Sequence, residues 1–167
     1  MKEYNICLCA DNNVVEYMSA LIVSILKNSH QDEEFIFHII TSSMSEENKN
    51  YINELKSIKN FQLKYYTPIH KEKFIKWHNE KTTGQWGVEA FSKLDIPFLI
   101  KDLDKILYLD CDMIVINSLK DLFQLDITNN IAAVVKDKDI KHFKILETNF
   151  NFFYNYFNSG LMLINIK

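Results

Sequence analysis

Two aspartates, Asp110 and Asp112, stand where carboxylates are hard to accommodate without chemistry. Ile106-Leu-Tyr-Leu109 precedes them and Met113-Ile-Val-Ile116 follows, so the pair interrupts an apolar run. The first segment is too short for a helix and predicts a strand buried on both faces; the second predicts a short extension of it. Unpaired carboxylates in apolar surroundings are costly, which places these two at an open strand end or on a cation. Side chains alternate along a strand, so Asp110 and Asp112 are expected on one side and Cys111 on the other. Two adjacent carboxylates repel, a divalent cation removes that repulsion, and carboxylate oxygens suit Mg²⁺ or Mn²⁺. An isolated Asp-x-Asp in a solvated loop would carry little meaning; the apolar flanks favour the metal reading.

A second polar cluster, Asp11-Asn12-Asn13, breaks a predicted strand at residues 4–10 and precedes a predicted helix at 14–27 with apolar residues at helical spacing. Ligands of open α/β sheets bind beyond the carboxyl ends of strands, which makes Asp11 and Asn13 candidate ligand residues. A turn followed by an Asn13 N-cap accounts for them equally well. Lys93, one residue before Leu94 in a predicted helix over 88–100, reads by itself as a solvent-facing lysine. His38 reads as a satisfied core histidine, and His70 and His78 have no carboxylate at ligand spacing.

The elements that must position these residues alternate. Strands are predicted at 35–41 and 61–66, with a helix between them opened by Ser45 and its acidic first turn. The resulting βαβαβ order predicts parallel strands with right-handed crossovers. Residues 67–87 are the least regular, with a short helix near 71–77. After the aspartates come a brief helix at 119–125, a strand at 131–135, a helix and loop within 140–156, an Asn158-Ser-Gly160 turn and a strand at 161–166. Pro97 is expected to kink or divide the helix over 88–100. The last strand, ending the chain without a covering helix, is expected to invite association.

The 167 residues suit one domain with a real core. A net charge of −3 argues against a nucleic-acid surface. There is no arginine, so a phosphate must be met by lysine, backbone N–H groups or metal. Three cysteines, Cys7, Cys9 and Cys111, form no disulfide framework and fit a reducing compartment. Cys7 and Cys9 share a strand face and read as buried thiols rather than a soft-metal site. Neither a signal peptide nor a run of membrane-spanning length is evident.

Lys105-Ile-Leu-Tyr-Leu-Asp-Cys-Asp-Met-Ile-Val115 resembles the signature of glycosyltransferase family 8. Ile6-Cys-Leu-Cys-Ala-Asp-Asn-Asn13 is similar to that family's opening nucleotide-binding strand, Phe91-Ser-Lys-Leu94 to its segment before the metal strand, and Tyr156-Phe-Asn-Ser-Gly-Leu-Met-Leu-Ile-Asn165 to its later turn and strand. The four agree in order and spacing across essentially the whole chain. The resemblance implies a Rossmann-like GT-A fold with a mainly parallel central sheet, a UDP-hexose donor, Mn²⁺ (or Mg²⁺), and transfer with retention to a saccharide acceptor such as lipopolysaccharide. By position it implies Asp110 and Asp112 on the metal, Cys9, Asp11, Asn13, Lys93 and Asp110 around the nucleotide, and Asp137 and Asn158 near the donor sugar. It names no general base. It also implies a cytoplasmic enzyme at the inner face of the membrane.

Three departures from the family pattern stand out. Lys93 replaces the usual arginine. Lys136, then Asp137, stand where the family has an aspartate directly after a strand. The family also continues past this point, its later part supplying a metal-binding histidine and much of the acceptor site, so residues 1–167 read as a single donor-binding domain truncated at its C-terminus. Two other readings stand beside it. One is an inactive or partner-dependent UDP-sugar-binding fragment. The other is a haloacid-dehalogenase-like phosphohydrolase, opposed by Met113-Ile114 where that family has Gly-Thr.

Overall fold

The alternating pattern resolves into a six-stranded sheet of order β3-β2-β1-β4-β6-β5. The computed structural model describes residues 2–81, 87–137 and 156–167. Strands β1 (Lys2–Cys9), β2 (Glu33–Ile40), β3 (Gln62–Tyr66) and β4 (Lys105–Leu109) are mutually parallel. Strand β6 (Phe157–Asn165) runs antiparallel to both β4 and β5 (Ala132–Lys136). The expected mostly parallel sheet is present, with one strand reversed.

Strand β1 is buried from Tyr4 through Cys9 because both faces are covered. On one face Tyr4, Ile6 and Leu8 meet Met18, Leu21, Ile22 and Ile25 of α1 (Val15–Lys27) and Ile52 of α2 (Glu46–Glu54). On the other face Cys7 and Cys9 join Ile106, Tyr108, Ile96 and Ile100. The chain leaves β1 for β2 on one side, while β4 takes the other side of β1. That reversal makes the β1/β4 pair a switch point, and open α/β sheets in general bind ligands beyond the carboxyl ends of the strands at such a point.

Several local expectations are corrected. Asp11, not Asn13, caps the chain after β1: its carboxylate accepts the Asn13 N–H and opens a 3-10 turn over Asn12–Val14 that leads into α1. Tyr17 is exposed, off the buried stripe of α1, and Tyr51 and Ile58 are also exposed. Helix α3 (Lys71–Lys81) is longer than expected. The single helix expected over 88–100 is a 3-10 stretch, Val88–Asp95, followed by α4 (Ile96–Leu99). Pro97 sits in the first turn of α4, where a missing N–H is harmless. Residues 113–116 form no strand extension. Val115 is instead tied to α1, its N–H donating to Ser24 Oγ and its carbonyl accepting from Asn28 Nδ2, each at 2.9 Å.

The Asn158-Ser-Gly160 segment is not a turn but part of β6, and β6 lies between β4 and β5, so the sheet edge falls to β5 rather than to the last strand. Ser45 caps α2 as expected, its Oγ accepting the Asn48 N–H. His38 is buried with both ring nitrogens partnered, Nδ1 by Tyr66 Oη (2.9 Å) and Nε2 by Asn5 Oδ1 (2.8 Å). The helix and loop expected within 140–156 fall, up to residue 155, outside the described residues, as do Gly84 and Trp86. Among the described residues no helix is long and apolar enough to cross a membrane.

Candidate metal and ligand site

Strand β4 ends at Leu109, and Asp110 is the first residue beyond it. Its backbone is still fixed by the sheet, since the Asp110 N–H donates to the Gly160 carbonyl at 2.8 Å. Its Oδ1 accepts the Tyr108 hydroxyl proton at 2.6 Å and lies 3.4 Å from Lys93 Nζ. Its Oδ2 faces Gly160, where an added Cβ would stand only 2.6 Å away. Cys111 and Asp112 form the turn that follows, with Cys111 buried and Asp112 exposed. The turn, rather than strand alternation, therefore sets the relation of the two aspartates.

Lys93 does not face solvent. Its side chain is 13% exposed, and Nζ lies 3.2 Å from the Ser159 carbonyl, 3.2 Å from Ser159 Oγ, and 4.7 Å from the centre of the Tyr108 ring. The 3-10 stretch brings it over β4. That stretch is anchored from behind by Asp95, fully buried, whose Oδ2 accepts the His70 N–H at 3.0 Å and whose Oδ1 lies 2.5 Å from His70 Nδ1. His70 thus has a carboxylate partner, one that 25 residues of sequence separation concealed.

The remaining predicted residues surround this centre unequally. Cys9, the last residue of β1, is buried; burial first, then its neighbour Cys7, pushes its thiol well above the ordinary range. Cys111 Sγ donates to the Cys9 carbonyl at 3.3 Å. Burial, with Cys9 and the charges of Asp110, Asp112 and Asp11 behind it, raises the Cys111 thiol to about 12. All three cysteines are free and buried, as core thiols.

Asp11 and Asn13 engage each other: Asp11 Oδ1 accepts the Asn13 N–H at 2.9 Å and Oδ2 accepts Asn13 Nδ2–H at 3.1 Å. Asp11 caps the 3-10 turn and Asn13 lies within it, just beyond the carboxyl end of β1. Asn158 Oδ1 accepts the Gly160 N–H at 2.7 Å. The β5–β6 register jumps there from Val134↔Met162 to Val135↔Asn158, a bulge that brings Ser159 and Gly160 to Lys93 and Asp110. Because β5 extends through Lys136, Asp137 is the first residue after it; its N–H donates to the Tyr156 carbonyl at 3.2 Å.

The donor set suits a hard divalent cation. Asp110 Oδ2 faces a residue with no side chain, and Asp112 is open to solvent. Among the described residues no group of three His, Cys, Asp or Glu side chains gathers to hold a metal. Two carboxylates completed by water or phosphate oxygens are nevertheless an ordinary arrangement for such ions. Sequence reasoning missed the roles of Tyr108, Ser159 and Gly160. The one available signal was the glycine in an otherwise strand-like apolar segment, which marks a bulge or a close approach.

The open, mostly parallel six-stranded sheet has the fold of GT-A glycosyltransferases. The chain belongs to glycosyl transferase family 8, whose family model matches residues 5–167. It is 32% identical over 170 residues to the lipopolysaccharide 1,2-glucosyltransferase of Escherichia coli, covering 98% of this chain and 48% of that protein. It is 29% identical over 170 residues to general stress protein A of Bacillus subtilis, covering 98% and 56%. Among solved structures, the galactosyltransferase LgtC, in complex with donor and acceptor sugar analogs, superposes with a TM-score of 0.78 at 24% identity, over 98% of this chain and 58% of that one. The bifunctional glycosyltransferase WbbM gives 0.79 at 21% identity, over 99% and 32%. These structural likenesses speak for the fold. The chain spans about half the length of the curated relatives named here.

Proposed function

We propose that this chain is the donor-binding domain of a retaining, metal-dependent hexosyltransferase. It moves glucose or galactose from a UDP-sugar to a saccharide acceptor such as lipopolysaccharide or another cell-surface glycan, on the cytoplasmic face of the membrane. The observation that carries the reading is the Asp110–Asp112 pair at the β1/β4 switch point, with Asp110 Oδ2 turned toward a residue that has no Cβ. In this reading Cys9, Asp11, Asn13 and Lys93 border the nucleotide, and Asp137 and Asn158 face the donor sugar. Asp110 and Asp112 would hold Mn²⁺ or Mg²⁺, which supplies positive charge against a departing diphosphate. The chain's own contribution is orientation: Tyr108 and the Gly160 carbonyl fix Asp110 from two sides, so the carboxylate is set before the ligand arrives.

A second reading, a UDP-sugar-binding domain that transfers nothing without a further segment or partner, is favoured by the lack of a third ligand side chain among the described residues. Calorimetric titration of UDP with Mn²⁺ and then with EDTA tests what the two share. Binding that needs Mn²⁺ and disappears in Asp110→Asn and Asp112→Asn is the expected result. Unchanged UDP affinity in either variant, with the fold intact, would sink the assignment. Release of hexose from a UDP-hexose by the chain alone then separates the transferase from the binding domain.

A further inference from the structure

The surroundings of Lys93 show what its ammonium does. An ammonium has three N–H donors. Around Lys93 Nζ stand three acceptors, Asp110 Oδ1 at 3.4 Å and the Ser159 carbonyl and Oγ at 3.2 Å each, while the Tyr108 ring lies 4.7 Å from it. With 13% of the side chain exposed, no donor is left for an incoming ligand unless one of these contacts opens. The same Asp110 oxygen also accepts the Tyr108 hydroxyl. Asp110 thus carries a counter-ion supplied by the chain itself.

We propose that Lys93 is a resident cation at the aspartate pair. It neutralises Asp110 while the site holds no divalent ion, keeps that carboxylate and the β6 bulge in register, and sets the concentration at which a divalent cation binds. The inference rests on the reading of Asp110 and Asp112 as a divalent-cation site. Two cations sharing one carboxylate repel, so the ammonium weakens metal binding in the absence of nucleotide. A nucleotide diphosphate offsets this effect by adding negative charge beside both cations. Free metal would then bind poorly and metal together with nucleotide well, which makes the lysine a specificity-determining residue for the order of loading.

The test is a Mn²⁺ titration of the full chain without nucleotide, read by the electron paramagnetic resonance of free Mn²⁺, on the wild type and on Lys93→Gln, Lys93→Met and Lys93→Arg. Even at the water-like, salt-screened limit, a unit charge about 4 Å from a divalent cation changes its affinity by on the order of tenfold. The neutral variants should therefore bind Mn²⁺ roughly tenfold more tightly than the wild type, and Lys93→Arg should bind like the wild type. Lys93→Met keeps the contact with the Tyr108 ring and serves if Lys93→Gln unfolds. A purely structural lysine would lower the melting temperature in EDTA and leave the Mn²⁺ affinity unchanged. Mn²⁺ binding by the wild type that is equal to or tighter than in the neutral variants overturns the proposal and leaves the aspartate site standing. Absence of Mn²⁺ binding in every variant, with and without UDP, overturns the aspartate site and the proposal together. Binding by the neutral variants where the wild type shows none supports it.

Discussion

Replacing Gly160 by alanine should damage the site from beneath. Gly160 does not lie in the left-handed region, so its lack of a side chain matters for space rather than backbone conformation. An added Cβ would stand 2.6 Å from Asp110 Oδ2, 3.2 Å from Asp110 Cγ and 2.9 Å from Asn158 Oδ1, where ordinary contact begins at 3.4 Å. Asn158 is exposed and able to turn away, but Asp110 is held by its peptide N–H, Tyr108 and Lys93. The carboxylate must shift by several tenths of an ångström, and overpacking of this kind costs about 1–3 kcal/mol. For a chain of this size that lowers the melting temperature by roughly 2–10 °C. Mn²⁺-dependent UDP binding should weaken by about tenfold or more, as befits a displaced ligand. Gly87→Ala, with nothing within 4 Å of its added Cβ, is the control and should change neither quantity. In the Gly160→Ala background, Asp110→Ala should destabilise less than it does alone, because it removes the clashing group; a coupling of about 1 kcal/mol is expected for residues in direct contact. Wild-type melting and wild-type UDP affinity in Gly160→Ala would refute the assignment of Gly160 as the floor of the site.

Two further outcomes follow from buried titratable groups. Burial, with Lys64 nearby, holds His38 down from 6.5 to about 4. The folded chain keeps it neutral while the unfolded chain protonates it, so stability is full above pH 6.5 and falls progressively as pH drops toward 4, by about 3 kcal/mol in all. Urea unfolding across that range should show the decline, and His38→Gln should flatten it; a parallel decline in the variant would assign the effect to other groups. Cys9 and Cys111 are buried with raised thiols, and Cys7 is buried beside them. A disulfide reagent at pH 8 should therefore find no fast-reacting thiol in the native chain and three after denaturation. One rapid equivalent in the native state would show that this part of the core opens to solvent.

The candidate residues stood out in the sequence because they violate the local pattern. Two carboxylates beyond a buried apolar strand, and a polar break after the first strand, are departures that composition and periodicity cannot hide, and each falls just beyond the carboxyl end of one of the two strands at the switch point. Helical and strand spacing also located β1, α1, β2, α2, β4 and β5 to within a few residues. What remained hidden depends on contacts distant in sequence. Placing β4 beside β1 instead of beside β3 creates the switch point, and local patterning does not encode strand order. The reversed β6 turns Asn158-Ser-Gly160 from an ordinary turn signal into the backbone against which Asp110 rests. Lys93 looks like a surface lysine until the 3-10 stretch, anchored by the buried Asp95 and His70, aims it at Asp110. The sequence by itself determined which residues carry charge into an apolar setting; only the tertiary structure decided which charges meet, because pairing across 17 and 66 residues is fixed by strand order and register.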